Sequence, residues 1–294
     1  NFVRGKRQNL EQALADPRVE IVRGDIRNYR QLHATMQGMD YVFHLAALWL
    51  LECLEKPAEA LEVNVQGTYN VARACCEIKV KKLIFSSSAS VYGNAVISPM
   101  DESHPLNNRT IYGATKIAGE QILRAMNEMH GLDYLALRYF NIYGPRQDYK
   151  GTYTSVIMKI LDSLDRQEPP VIYGDGTQAY DFIYVQDVAR ANILAAKSAL
   201  SDAAINIATG KKTSINQLVE LLVELTGSEL QPTFKPASQV FVTDRVASIE
   251  KAAEVLGFHA RVELRDGLQK LIRWREQDKR AVLPAPVQKG ALAL

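Results

Sequence analysis

Short apolar runs alternate with stretches of helical hydrophobic spacing along most of the chain. The apolar runs predict buried strands at residues 19–25, 41–47, 83–86, 133–139 and 205–208. Between these runs, apolar side chains at helical spacing predict helices at residues 57–78 and from Tyr112 onward. Strands that alternate with helices through short connections are typical of a parallel sheet, so the pattern predicts a doubly wound α/β fold.

The pattern changes after residue 145, where Gly, Pro and Asp become frequent and longer loops separate the apolar segments. Helices are predicted at residues 153–164, 187–198 and 263–274, and Ser214 with Gln217 forms a capping box ahead of a further amphipathic helix. We therefore predict two domains. The first comprises residues 1–145 and 176–210, the second comprises residues 146–175 and 211–280, and residues 281–294 form a loose tail.

Composition and charge narrow the class of protein. With 294 residues, 47% of them hydrophobic, the chain can bury a substantial core. A net charge of +2 gives no reason to expect a nucleic-acid partner or an anionic membrane surface, and the longest apolar run is too short to span a bilayer. Three cysteines without a C-x-x-C pair predict reduced thiols in a cytoplasmic protein, with neither a disulfide framework nor a metal site.

The serine-rich end of one predicted strand precedes a helix that carries Tyr112 and Lys116. Residues four apart share one face of a helix. A free tyrosine has a pKa near ~10, and a nearby ammonium favours its phenolate form. A serine hydroxyl could then orient a substrate alcohol against that phenolate. A lone Tyr-x-x-x-Lys is more often a solvated helix face, but the serines upstream favour an acid–base site for an alcohol oxygen.

Two motifs carry a resemblance to a known family: Ser86-Ser87-Ser88-Ala89-Ser90-Val91-Tyr92-Gly93 and Tyr112-Gly113-Ala114-Thr115-Lys116. They resemble the extended short-chain dehydrogenase/reductases, and within these the NAD-dependent nucleotide-sugar epimerases of the UDP-glucose 4-epimerase type. The likeness extends from Asn1 to about Trp274. It implies a Rossmann-like NAD-binding domain at residues 1–145 and 176–210, a second domain for a UDP-sugar, and a homodimer that pairs the helices at 64–78 and around Tyr112.

The resemblance also implies that the sequence starts inside the family's pattern. In the family, a stretch similar to the one at Asn1 follows the second strand, and the glycine-rich turn that cradles the cofactor pyrophosphate lies upstream. No Gly-x-x-Gly-x-x-Gly occurs in this sequence. We expect roughly 30 to 35 further residues, about one strand–helix–strand unit, in the complete enzyme.

Residue by residue, the resemblance assigns Tyr112 as the catalytic base, Lys116 as its activator and cofactor ribose anchor, and Ser88 as the hydroxyl partner, with Ser87 as an alternative to Ser88. The other cofactor contacts that it implies are Asn1, Arg4, Gly5, Asp25, Ile26, Leu45, Ala46, Ala47, Leu48, Asn64, Ser86, Ser87, Tyr139 and Phe140. The implied substrate contacts, beside Ser88 and Tyr112, are Trp49, Asn141, Arg146, Tyr173, Tyr180 and Arg245. Plain packing for residues 45–48, a structural role for Asn64 and a solvent position for Arg146 stay open.

Two positions depart from the family pattern. The family usually has an arginine directly before Asp181, where it binds the pyrophosphate or the nucleotide, and this sequence has Tyr180. In the stretch from Phe241 to Lys251, Arg245 falls where the family places a residue that gates the size of the sugar pocket. Our hypothesis is that Arg245 supplies the missing cation or meets an acidic group on the sugar, since a guanidinium binds either anion.

A further difference concerns acidic residues. The family's 4,6-dehydratases carry an Asp-Glu pair, and its uronate decarboxylases a Ser-Glu pair, where this sequence has Ala89 and Ser90. Without that carboxylate, elimination and decarboxylation lack their acid–base group. The resemblance therefore implies epimerisation at C4 of a UDP-hexose or UDP-hexuronate through a 4-keto intermediate. The alternatives are a 4-ketoreductase, dehydratase or decarboxylase of the same family, and an NAD-binding scaffold without catalysis.

Overall fold

The computed structural model describes residues 1–148, 155–237 and 244–282. In these residues the strands are β1 (Tyr41–His44), β2 (Lys82–Ser88), β3 (Tyr134–Tyr139), β4 (Asn141–Tyr143), β5 (Val171–Tyr173), β6 (Ala179–Tyr180), β7 (Phe182–Tyr184), β8 (Ala203–Ile207), β9 (Thr213–Ser214), β10 (Thr233–Lys235) and β11 (Asp244–Arg245). The helices are α1 (Glu11–Leu14), α2 (Tyr29–Met36), α3 (Leu50–Glu55), α4 (Pro57–Ala60), α5 (Gly67–Ile78), α6 (Ile111–His130), α7 (Val156–Asp165), α8 (Val185–Lys197), α9 (Ile215–Thr226), α10 (Glu250–Leu256) and α11 (Leu264–Val282).

The main sheet confirms the α/β prediction. Its strands lie in the order β1-β2-β3-β8, and each neighbouring pair is parallel. Because side chains alternate across a strand, Leu83 and Phe85 of β2 pack with α5 and α6, whereas Ile84 packs with α8 and α10 on the other face. Both faces are therefore covered by helices, as a doubly wound parallel sheet requires.

The predicted strand at residues 19–25 is wrong. This segment runs without strand structure, and the described chain places no neighbouring strand alongside it. A strand needs a partner for its backbone N–H and C=O groups, and apolar spacing alone cannot provide one. The segment is held instead by a side chain of α2, since Gln31 donates its Nε2–H to the carbonyl of Arg23 at 2.9 Å.

The helix predictions are mostly confirmed. Residues 57–78 form one continuous helix, with a π-helical turn at Leu61–Gln66 between α4 and α5. The capping box opens α9, where Ser214 Oγ accepts from the backbone N–H of Gln217 at 3.1 Å and Gln217 Oε1 accepts from Ser214 at 2.9 Å. The last helix extends beyond residue 274 to Val282, so the predicted tail begins later. Residues 153–154 of one predicted helix and 283–294 of the tail lie outside the described residues.

Smaller sheets surround the carboxyl ends of β2 and β3. They pair β4 with β7, β5 with β10, and β6 with both β9 and β11. A separate core unites them with α7, α9 and α11 through buried residues such as Tyr143, Leu161, Leu218 and Leu268. The domain boundaries themselves stay a prediction. Among the described residues, every helix is too short or too polar to cross a membrane.

A buried ion pair fixes α6 against the main sheet. Arg138 of β3 donates Nε–H to Glu120 Oε1 at 3.0 Å and Nη2–H to Glu120 Oε2 at 2.7 Å, and both residues are buried. Ser87 of β2 donates to the same carboxylate at 2.5 Å. The helix also approaches β2 closely at Gly119, where a Cβ would lie only 2.6 Å from the Phe85 ring. The position of α6 along the sheet and its rotation about its own axis are therefore fixed by contacts at Gly119 and Glu120, near the middle of the helix.

We predict that Arg138→Met lowers the free energy of unfolding by about 3–5 kcal/mol, because it leaves the Glu120 carboxylate buried without its cation. Urea unfolding of the purified protein measures this loss. The matched control is Arg124→Met on the exposed face of α6, the helix that carries Glu120. We expect this substitution to change the free energy of unfolding by less than about 0.5 kcal/mol. Equal effects of the two substitutions would contradict the role of the pair.

Candidate active site

A cleft of about 920 Å³ opens at the carboxyl ends of β2 and β3. Ligands of parallel α/β sheets bind at this edge. Two walls of the cleft come from residues 93–96 and 106–110, which follow β2 and precede α6. The opposite wall comes from the end of β3 and the smaller sheets, with Asn141, Tyr173, Gln178, Tyr180 and Arg245.

Tyr112 lies in the first turn of α6, two residues after Thr110, which lines this cleft. Thr110 caps the helix by accepting from the backbone N–H of Gly113 at 3.1 Å, and its own N–H donates to Asn108 Oδ1 at 2.9 Å. A Cβ at Gly113 would lie 2.0 Å from Asn108 Oδ1 and 2.5 Å from the carbonyl oxygen of Ser90. Only glycine allows the helix to approach the loop after β2 this closely.

Ser88 rather than Ser87 is the serine that faces Tyr112. The hydroxyl of Ser88 is close enough to the Tyr112 phenol to lower its pKa, and it accepts from the backbone N–H of Ser90 at 3.1 Å. The hydroxyl of Ser87 is buried and donates to Glu120 instead. This arrangement favours Ser88 as the hydroxyl partner, and its role stays a prediction.

Burial and nearby charges act in opposite directions on Tyr112. Burial raises the pKa of Tyr112 to about 12, against which the Ser88 hydroxyl acts. The Cys53 thiol raises this pKa further, and the positive charge of Arg245 lowers it. The phenol is thus protonated at neutral pH in the site as it stands.

Lys116 is bonded to the end of β2 rather than to the phenol. Its Nζ donates to the backbone carbonyl of Ser86 at 2.7 Å and lies 5.6 Å from the centroid of the Tyr112 ring. Burial lowers the pKa of Lys116 to about 8. The role of Lys116 as activator of Tyr112 and as anchor of the cofactor ribose stays a prediction.

The turn after β1 offers a surface for a flat ligand beside Lys116. Leu45 and Ala46 are exposed there. Asn64 holds the turn, since its Oδ1 accepts from the backbone N–H of Leu48 at 2.7 Å and its Nδ2 donates to the Leu48 carbonyl at 2.9 Å. Asn64 Nδ2 also donates to Thr115 Oγ1 of α6 at 3.0 Å. This arrangement ties the turn to α6, so its shape is fixed before any ligand binds.

The other predicted cofactor residues lie around this turn and in the core. Asp25 is paired with Arg27 at 2.8 Å and accepts from Asn1 at 3.3 Å, and hydrogen bonding to Arg27 lowers the pKa of Asp25 to about 2. The remaining positions are Gly5 at the exposed start, Ile26 against α5, Ala47 partly buried in the turn, Ser86 bonded to Tyr139, Tyr139 bonded to Asn192, and Phe140 in the core. Their contacts with a cofactor stay predictions.

Two arginines and a tryptophan lie outside the cleft. The guanidinium of Arg4 lies 4.6 Å from the centroid of the Trp49 ring and pairs with Asp148 at 3.2 Å. Arg146 has a positive φ of 69° and donates to Gln12 at 3.2 Å. Arg4 and Arg146 line a separate small pocket of about 30 Å³. Their contacts with a ligand stay predictions, but this arrangement does not bring them to Tyr112.

The sequence analysis missed two parts of the cleft. Gln178 lies on the wall opposite Tyr112 and donates to the carbonyl of Tyr173 at 2.9 Å. The run Asn107, Asn108 and Arg109 forms another wall. Its position, a polar run directly before the helix that carries Tyr112, is a signal that could have identified it.

Comparison with known proteins agrees with this geometry. The model of the NAD dependent epimerase/dehydratase family matches residues 2–208. The UDP-N-acetylglucosamine 4-epimerase of Methanobrevibacter ruminantium M1, solved with UDP-N-acetylmuramic acid, is 34% identical with a TM-score of 0.88, over 95% of this chain and 89% of that one. The UDP-glucose 4-epimerase of Thermotoga maritima, solved with UDP-glucose, is 32% identical with a TM-score of 0.88, over 95% of this chain and 89% of that one.

Dehydratases are also similar. The dTDP-glucose 4,6-dehydratase of Streptomyces venezuelae, solved with NAD and TYD, is 25% identical with a TM-score of 0.87, over 94% of this chain and 85% of that one. The fold, the Ser88–Tyr112–Lys116 arrangement and these matches agree with one another. The chain therefore belongs to the NAD dependent epimerase/dehydratase family, whose members are NAD-dependent enzymes that modify nucleotide sugars.

Proposed function

We propose that this protein is a nucleotide-sugar 4-epimerase, which inverts C4 of a UDP-linked hexose or hexuronate through a 4-keto sugar. The observation that supports this most strongly is the juxtaposition of Tyr112 in the first turn of α6 with Ser88 at the end of β2, next to Thr110 and Ser90 of the cleft wall, where Ser88 lowers the pKa of the phenol. A phenol and a hydroxyl in that arrangement suit proton transfer to and from an alcohol. The similarity to 4-epimerases adds to this support.

In the proposed reaction Tyr112 accepts the proton of the C4 hydroxyl, and Ser88 orients that hydroxyl through a hydrogen bond. Bound NAD⁺ supplies the hydride acceptor and a positive charge near the phenol. The residues that would hold it are Lys116, the turn at residues 45–48 that Asn64 fixes, and Asp25. Because burial raises the pKa of Tyr112 to about 12, an added positive charge is needed for the phenolate to form near neutral pH.

Inversion requires that the 4-keto sugar presents its other face before the carbonyl is reduced. The cleft of about 920 Å³ is large enough for a ring to turn in place. Asn141 and Gln178 on the far wall offer amide groups that could keep the nucleotide anchored during this rotation. Tyr112 then returns its proton to the C4 oxygen.

The cleft favours epimerisation over elimination. Among its described lining residues there is no Asp or Glu. Ala89 is buried, and Ser90 lies on the cleft wall at the position where a dehydratase carries a carboxylate. An elimination needs a second acid–base group next to C4, and this wall supplies none.

We predict that Tyr112→Phe lowers turnover of UDP-sugars by at least about 100-fold while NAD stays bound, because the proton acceptor alone is removed. Interconversion of C4 epimers is followed by NMR, and NAD content is measured after denaturation of the full chain. The control is Tyr41→Phe, a matched change at an exposed phenol on β1, which should keep full turnover.

Two results would contradict the epimerase proposal. Consumption of external NADH in proportion to product would indicate a net reductase instead. Binding of NAD and UDP-sugars without conversion of any of them would indicate a scaffold.

We predict that Ser88→Ala moves the acidic limb of the kcat/KM–pH profile to higher pH by roughly one pH unit, because the Ser88 hydroxyl favours the phenolate form of Tyr112. The sign follows from the direction of the shift: removal of the hydroxyl raises the pKa of Tyr112, so less phenolate is present at a given pH. Ser88→Thr keeps a hydroxyl and should keep the wild-type limb. An unchanged limb in Ser88→Ala would show that this hydroxyl does not act on the base.

A further inference from the structure

Arg245 reaches the cleft from the smaller sheets. It belongs to β11, which pairs in parallel with β6 so that Arg245 lies opposite Tyr180. Its Nη2 donates to the carbonyl of Gly93 at a long 3.5 Å. Its Nε is buried and has no hydrogen-bond partner among the described residues. The guanidinium is therefore poorly satisfied, in contrast to the paired guanidinium of Arg138.

A partly buried guanidinium has five N–H donors and is costly without an anion. Burial lowers the pKa of Arg245 to about 10, so the group is still charged at neutral pH. The titratable groups that interact with it are the phenols of Tyr180 and Tyr112, which are neutral when protonated. Since no Asp or Glu is found among the described lining residues, the anion that completes this site must come from the ligand.

The position of Arg245 within the cleft indicates which part of the ligand it meets. Gly93, its hydrogen-bond partner, lies five residues after Ser88 in the segment between β2 and α6. The charge of Arg245 also acts on Tyr112. In the proposed reaction Tyr112 contacts the C4 hydroxyl, so the guanidinium lies at the C4 end of the sugar. The phosphates are attached through C1, on the opposite side of the ring.

We infer that Arg245 binds a carboxylate carried next to C4, and that the substrate is therefore a nucleotide-linked hexuronate with its acid at C6. This inference rests on the proposed function for the placement of C4 at Tyr112. A guanidinium can bind a carboxylate through two parallel hydrogen bonds, and Nε with one Nη forms such a fork. A neutral hexose has only a hydroxymethyl group at this position and leaves the guanidinium without an anion.

The test compares UDP-glucuronate with UDP-glucose, which differ only at C6. In the wild-type protein we expect kcat/KM to favour UDP-glucuronate by at least about 30-fold. Arg245→Met should lower kcat/KM for UDP-glucuronate by roughly 30- to 1,000-fold and change that for UDP-glucose by less than about threefold. Arg245→Lys keeps the charge without the fork, so it should retain an intermediate preference.

The matched control is Arg30→Met, which removes an exposed guanidinium from α2, away from the lining of the cleft. It should leave the ratio between the two sugars unchanged. If Arg245→Met weakens both sugars and UDP alone by the same factor, Arg245 holds the phosphates and the inference is overturned. A wild-type preference for UDP-glucose overturns it as well.

Calorimetric binding separates this inference from the proposed function. If neither sugar is converted, the epimerase proposal fails, but the affinities still decide the role of Arg245. Tighter binding of UDP-glucuronate than of UDP-glucose, lost in Arg245→Met and partly kept in Arg245→Lys, supports the carboxylate contact. Equal affinities in the wild-type protein reject it. Thermal unfolding of both variants shows whether each is folded. If Arg245→Met does not fold, Arg245→Lys still tests the inference.

Discussion

The docking of α6 on β2 is the constraint on which the rest of the site depends. Tyr112, Lys116 and Glu120 follow one another at intervals of four, so they lie along one stripe of the helix. Lys116 donates to the carbonyl of Ser86, Glu120 accepts from the hydroxyl of Ser87, and Tyr112 faces the hydroxyl of Ser88, which lowers the pKa of the phenol. The Glu120–Arg138 pair anchors the inner end of this stripe in the core. A shift of the helix by one residue would break all three contacts together. The position of the phenol therefore depends on the Glu120–Arg138 pair, two turns further along the helix.

Low polarity at the site has two opposite consequences. It raises the pKa of Tyr112 and lowers that of Lys116, so both groups are pushed towards their neutral forms in the bare protein. The same low polarity strengthens any charge that a ligand brings. Lys116 donates an N–H of its ammonium group to the Ser86 carbonyl of the strand, and not to the phenol. Little phenolate is therefore present until the site is filled, which limits proton transfer in the absence of the proper ligands.

Much of the fold could be predicted because it depends on local patterns. The alternation of Leu83, Ile84 and Phe85 and the capping box of Ser214 and Gln217 act over a few residues, and the structure has both. The segment at 19–25 has a strand-like pattern as well, but strand formation depends on a neighbour that no local pattern reveals. In the site, too, some contacts could be predicted from the sequence and others could not. The pairing of Tyr112 with Ser88 could be expected from the resemblance, whereas the bond of Lys116 to Ser86 is a three-dimensional result.

The positive charge of this cleft lies on a different strand from the one that the resemblance implies, because the chain has Tyr180 on β6 and Arg245 on β11. The resemblance leads us to expect an arginine at position 180, but this chain has Tyr180 there, and its register partner on the adjacent strand is Arg245. Neighbouring strands lie about 4.8 Å apart, and partners in register project from the same face of the sheet. An arginine on β11 instead of β6 therefore keeps the cleft cationic but moves the guanidinium by about one strand spacing, towards Gly93 and Tyr112. A displacement of that size is comparable to a sugar ring, so under the proposed function it would carry the charge from the phosphates of the ligand towards C4.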